Sequence, residues 1–380
     1  MTGERARAYA LIFAGLNLVI VAAGLVLTRE GIAPNGKLAG TDFASFWAAA
    51  QLALAGEPAA AWESGREIAV QRSLANGRDL GFAPFFYPPV FLLYLLPFGL
   101  LPYLPALIAW LLATGAACWR VIAQILPGRG WLMLATPAAF SVVGHGQNAF
   151  LTTALFGGGV LGMAQRPVLA GMCFGALIYK PQLAFLIPVL LLATRQWRVL
   201  AVAAATAGAL MLLSLMAFGS ESWRAFLASA PLATALVADN QIGFQKLVST
   251  YAGLRMLGVP SGTALVAQLL MAGAMAVLVI RSRRFDSGAQ GAILIAATCL
   301  AAPYMLDYDL MLLTVPMAWL LARGQAGGFL PWEKTALMAA FLLPLIARLV
   351  AGAIALPLAP PVVAALLLVL WQRADSRINA

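Results

Sequence analysis

Long apolar runs, interrupted at short intervals by arginine, glycine and proline, set the pattern of this chain. They fall near 9–27, 104–126, 131–144, 149–164, 167–179, 183–194, 198–218, 262–281, 288–303, 309–322, 335–351 and 358–371. A helix needs about 20 apolar residues to cross a bilayer, so the pattern predicts an all-α, polytopic membrane protein with about 12 transmembrane helices. Several runs are shorter than that, which predicts broken helices or displaced boundaries. Residues 1–380 read as a single membrane domain.

The stretch 87–102, "YPPVFLLYLLPFGLLP", is apolar enough to cross, yet counting it would reverse the side of every later basic cluster. It is therefore expected to dip into the membrane without crossing, broken by Pro97 and Pro102. The first exterior loop then spans 28–103, far longer than an ordinary connection, and is expected to be folded and functional. Phe43, Phe46, Trp47 and Leu54 recur near the helical period, which predicts a helix in the interface with its aromatics in lipid. "SGRE" (64–67) has the form of a capping box and predicts a second helix ending near Gly77.

Composition supports the membrane assignment. The chain is 62% hydrophobic and only 10% charged, whereas soluble domains carry about 25% charged residues. Its net charge of +10 is scattered between apolar runs without a basic stripe, which excludes nucleic acid as a partner. The placement fits the positive-inside rule: Arg5 and Arg7, "TRQWR" (194–198), "RSRR" (281–284) and "QRADSR" (372–377) all come out cytoplasmic. The basic, then apolar N-terminus has the form of a signal peptide, but with many spans downstream an uncleaved first span is expected. Cys118, Cys173 and Cys299 lie inside apolar runs and read as packing residues.

Ten of the fourteen acids fall in or beside exterior segments. Glu30, Asp42, Glu57, Glu63, Glu67 and Asp79 fall in the first loop, and Glu221, Asp239, Asp307 and Asp309 in or beside other exterior segments. Proton-coupled carriers keep ionisable groups near the bilayer centre, and no acid is placed there, so chemistry is expected at the outer face. "GGGVLG" (157–162) matches a dinucleotide fingerprint but lies in an apolar span with no preceding strand, so it reads as a packing device, like the Gly171 to Gly175 spacing. One histidine among dispersed acids argues against zinc. With no Walker motif or nucleophile elbow either, no cofactor is expected.

"GTDFASFWAAAQLALAGEPAAAWE", "FFYPPVFLLYLLPFGLLP", "GHGQNAFL", "YKPQLAFLIPVLLL", "DNQIGFQKLVSTYAGLRMLG" and "APYMLDYDLMLL" follow one another from about 38 to 320. In order and spacing this series resembles glycosyltransferase family 87. The resemblance implies a GT-C-like fold, a polyprenyl-phosphate sugar donor and a site on the non-cytoplasmic face. It also implies an acid of the first exterior loop as catalytic base, here Asp42. By resemblance the sugar is a hexose such as mannose and the acceptor a lipid or glycan. The expected location is a bacterial inner (plasma) membrane, with the site on its exterior or periplasmic side and membrane lipids as neighbours.

Elementary chemistry agrees. Inverting transfer to an alcohol needs one base opposite the leaving group. A departing phosphate needs no proton, only cations and hydrogen-bond donors. Asp42 supplies the base, although Asp also suits an N-cap for a helix starting at Phe43. The substrate-binding candidates are Tyr87, His145, Gln147, Lys180, Gln182, Asn240, Gln241, Lys246, Arg255, Asp307, Tyr308 and Asp309. Lys180 also fits a snorkelling anchor, and His145 a structural residue at a helix break. Members of the family often carry histidine where this chain has Asp307, Tyr308 and Asp309, leaving sugar binding and structural pairing both open for that motif. Two rival functions share the cavity and the cations: a lipid-linked sugar flippase or carrier, which needs no base, and a polysaccharide polymerase or ligase, which uses a diphosphate-linked donor.

Overall fold

The computed structural model describes residues 3–376 except 30, 76 and 78–80. Glu30 and Asp79 of the first loop, and Arg377 of the last basic cluster, lie outside the described residues. Apart from three isolated bridges, the regular structure among the described residues is helical. The chain begins with α1 (Gly3–Leu27), α2 (Phe43–Leu54), α3 (Ser64–Ser73), α4 (Val90–Gly99), α5 (Tyr103–Ile125) and α6 (Leu132–Ala135). It continues with α7 (Pro137–His145), α8 (Ala149–Gly162), α9 (Pro167–Ala176), α10 (Pro181–Ala184), α11 (Leu186–Ala193) and α12 (Trp197–Ala238). The last third holds α13 (Thr250–Met256), α14 (Ser261–Arg281), α15 (Ser287–Ala301), α16 (Thr314–Gly327), α17 (Glu333–Ile354) and α18 (Ala359–Asp375).

Five helices, α1, α5, α12, α14 and α17, are long and apolar enough to cross a membrane. This is an integral membrane protein, but twelve helices of sufficient length are not present among the described residues. The remaining apolar runs form shorter pieces. The 15 residues of α15, for instance, rise only about 22 Å at 1.5 Å per residue, short of a hydrocarbon core of roughly 30 Å. That helix is apolar on every side and is buried continuously from Ala289 to Ala301, which makes it the centre of the bundle rather than its rim.

The 42 residues of α12 are two helices meeting at Gly219, whose φ of 74° and ψ of 167° turn the chain where the apolar run ends. Small residues set the helix separations. A Cβ at Gly171 would stand 2.6 Å from Val202, and one at Gly159 would overlap the Phe174 ring, so glycine lets α9 lie against both α12 and α8. Buried Gln268 of α14 donates to the carbonyls of Leu300 and Ala301 at 3.1 and 2.9 Å and accepts from Tyr251 N–H at 3.0 Å. It thereby satisfies the open C-terminal carbonyls of α15 and fixes where the chain leaves that helix.

Three expectations for the first loop need correction. First, α2 exists, but Phe43 and Phe46 are each only 1% exposed and stack on Trp110, Phe91 and Tyr87 inside the protein rather than in lipid. Periodicity identifies the apolar face but not what covers it; here α4 and α5 cover it. Second, Ser64 is not a cap. The cap position is Glu63, without a side-chain bond, and α3 stops at Ser73, before Gly77. The Glu67 carboxylate that would close a capping box instead accepts from Phe85 N–H at 3.1 Å. Third, Pro97 sits inside α4 without ending it.

Candidate active site

Two glycine turns bring the first loop onto the end of α7. Gly40 and Gly146 have φ of 68° and 66°, and a Cβ on Gly146 would lie 2.5 Å from Phe43 Cβ and 3.4 Å from Gly40 Cα. Only glycine accommodates both the left-handed backbone and this contact. Tyr103 donates its hydroxyl to the carbonyls of Ala39 and Gly40 at 2.6 and 3.0 Å, and Asp42 N–H donates to the His145 carbonyl at 3.0 Å.

The backbone thus places the Asp42 side chain. It stands at the N-cap position of α2 but makes no capping bond. Gln147 Nε2 instead donates to its Oδ2 at 2.8 Å, the Thr41 hydroxyl donates to Oδ1 at 3.3 Å, and His145 Nδ1 is 3.9 Å from Oδ1. A neutral amide orients a carboxylate without supplying a proton. Gln147 is itself buried and held by Asn148 N–H at 3.1 Å, while the Asp42 side chain remains 29% exposed. Thr41 and His145 share a 2.9 Å hydrogen bond.

A second layer comes from the 3-10 turn Asp307–Leu313. Tyr308 packs its ring 6.3 Å from that of His145. Asp309 receives Lys180 Nζ at 2.7 Å, both groups being buried, and Lys180 lies 6.0 and 5.7 Å from the Tyr87 and Tyr308 rings. Asp309 Oδ2 also accepts from Leu306 N–H at 3.3 Å. Lys180 is therefore neither a lipid anchor nor an unpaired cation. Burial pushes the Asp307 carboxyl above the ordinary Asp range; Arg348, then His145 and the Tyr308 N–H, pull it back part of the way, while Asp309 adds to the rise. Arg348 Nη1 stands 3.6 Å from Asp307 Oδ2 and keeps 42% of its side chain exposed.

The remaining candidates are placed less centrally. Gln182 is half-buried on α10, two residues past Lys180. Asn240, at φ 59°, accepts from Phe244 N–H at 2.5 Å and closes a turn on which Gln241 is exposed. Arg255 donates to the carbonyls of Val259 and Ala238 at 3.0 and 3.4 Å and lies over the Phe244 ring, so its guanidinium braces this segment. Lys246 is half-buried beside Leu247, whose bridge to Leu306, with Val248 N–H donating to Met305 O at 2.9 Å, ties the segment to the Asp307 turn.

Sequence reasoning missed Thr41, Tyr103 and Arg348. Thr41 acts through its hydroxyl on Asp42 and His145, and Tyr103 through its hydroxyl on the Ala39 and Gly40 carbonyls, contacts that no spacing announces. Arg348 carried a usable signal, because a lone arginine in an apolar run must find a partner inside the protein or snorkel.

Comparison with known proteins decides the family. A model of glycosyltransferase family 87 matches residues 85–303, more than half of the chain. The chain belongs to glycosyltransferase family 87. This family 87 member is accordingly a membrane glycosyltransferase. The matched stretch includes Tyr87, His145, Gln147, Lys180, Gln182, Asn240, Gln241, Lys246 and Arg255; Asp42, Asp307, Tyr308, Asp309 and Arg348 lie outside it. No curated protein and no solved structure matches the chain.

Proposed function

We propose that this enzyme transfers a sugar, a hexose such as mannose, from a polyprenyl-phosphate donor to a lipid or glycan acceptor with inversion, Asp42 acting as general base. The observation that carries this is the Asp42 carboxylate itself, which makes no cap bond and is oriented by Gln147 from the turn between α7 and α8. The acceptor hydroxyl loses its proton to Asp42 as its oxygen attacks the anomeric carbon, and the bond to the phosphate oxygen breaks on the opposite face. The leaving phosphate takes both bonding electrons and is stabilised by cation and N–H donors. Arg348, half exposed beside Asp307, is the cation proposed to receive it. Lys180, neutralised by Asp309, holds the Asp307 turn in place instead.

In the proposed topology the twelve apolar runs cross as full, short or paired helices. The basic clusters face the cytoplasm of a bacterial inner membrane, and the Asp42 cluster faces outward, with 28–103 as the first exterior loop. The test is transfer by purified protein in lipid, using radiolabelled polyprenyl-phosphate sugars and extracted membrane lipids. The expected product carries the label with anomeric configuration opposite to the donor's, and Arg348→Gln weakens donor use by about tenfold to a hundredfold. Labelling from diphosphate-linked donors alone would overturn the donor assignment, and sugar movement across vesicles without any new glycosidic bond would favour a carrier.

A further inference from the structure

Three segments have one end at the Asp42 cluster and the other at a common point. The helix α8 starts just after Gln147 and Asn148, α10 and α11 start just after Lys180, and α15 ends just before the Asp307 turn. Their far ends, at Ala164, Ala193 and Ser287, border a recess of about 640 Å³. Its polar lining includes Arg195, Arg283, Arg284, Thr194, Ser287 and Gln290, and no carboxylate. Arg284 is paired with Asp375 at 2.6 Å. Neither Arg195 nor Arg283 has an ion pair among the described residues, and nearby Asp286 is occupied by Arg323 at 3.3 Å and by the Ala289 N–H it caps.

Arg195 holds a second clue. It follows α11 at a φ of 56°, with its own N–H on Leu192 O at 3.2 Å and the next N–H, of Gln196, on Leu191 O at 2.8 Å. These are the bonds of a helix C-terminus whose left-handed residue is ordinarily glycine. Backbone geometry alone favours glycine at this position, yet the chain carries an arginine there, lining a recess with two more.

We propose that this recess, at the opposite end of the bundle from the Asp42 cluster, binds a phosphate group: the headgroup of an anionic lipid or a soluble phosphate ester. Guanidinium forks match phosphate oxygens in geometry as well as charge. The site is independent of Asp42 and of the transfer reaction.

The full-length protein in nanodiscs is the material for the test. Its thermal stability is followed as phosphatidylglycerol replaces phosphatidylcholine, and separately as inorganic phosphate replaces chloride at constant ionic strength. Arg195→Gly removes charge while relieving the backbone, so the Arg195→Gly, Arg283→Gln variant is expected to melt as high as wild type in phosphatidylcholine. Stabilisation by phosphatidylglycerol is expected to need about tenfold or more ligand in that variant. Arg129→Gln, outside the recess, is expected to behave as wild type. A response to inorganic phosphate that the double variant loses would support the site and assign it to soluble phosphate. Equal responses of wild type and double variant to both probes, or an equal loss in Arg129→Gln, would overturn the proposal and leave the arginines as orientation signals only.

Discussion

Gly146 shows how a single residue fixes the reacting group. Alanine there would adopt a left-handed φ at a cost of more than about 1 kcal/mol and would press on Phe43, adding about 1–3 kcal/mol of overpacking. Because Asp42 N–H is bonded to the adjoining His145 carbonyl, Gly146→Ala is expected to lower transfer far more than it lowers donor binding. A kinetic and equilibrium comparison in the same detergent checks this, and matched losses in both would mean the turn serves the fold alone. At this scale the sequence was informative where chemistry is local to a motif: Asp42 and Gln147 are legible in "GTDFASFW" and "GHGQNAFL". It was silent where a partner comes from far along the chain. Lys180 read as a phosphate ligand, and only the distant Asp309 shows its charge to be already matched.

Among the elements, α2 and α3 mark what periodicity can and cannot decide. The period of Phe43, Phe46 and Trp47 identifies a helix and its apolar face, but protein and lipid are equally apolar, so it cannot choose between them. In α3, Glu67 and Gln71 grip the following segment: Gln71 donates to Ala83 O at 2.8 Å and accepts from Ala83 N–H at 3.2 Å, and Glu67 accepts from Phe85 N–H. This grip presents Tyr87 toward Lys180. Burial holds the Glu67 carboxyl well above the ordinary Glu range, and the Phe85 and Gln71 donors only partly oppose it. The folded state then keeps its proton to higher pH than the unfolded chain does. Stability from this group is full below the unfolded pKa and falls as pH rises toward the raised folded one. Hydrogen exchange at Ala83 and Phe85, corrected for intrinsic rate, is expected to lose protection across that window in wild type and to stay level in Glu67→Gln. Protection that rises with pH would contradict it.

For the whole molecule, apolar length and charge placement identified a helical membrane protein, and the order of six weak motifs identified its family. The number of individually sufficient helices was not legible, because central helices such as α15 are buried by neighbours and need not span the bilayer on their own. Single cysteines in a cysteine-free background test the proposed topology. Positions 65 and 258 are expected to label from outside, and 128 and 325 only from inside; labelling at 325 from outside would reverse the assignment. The account as a whole stands on Asp42, and the most direct measurement is the turnover of Asp42→Asn. Asn keeps the side chain's size and, through its carbonyl oxygen, the bond from Gln147, and removes proton acceptance, for which positioned bases contribute about 10² to 10⁴ in rate. The variant is expected to melt and bind donor like wild type and to transfer sugar at least about a hundredfold more slowly. Transfer at near wild-type rate by a folded Asp42→Asn protein would contradict the account.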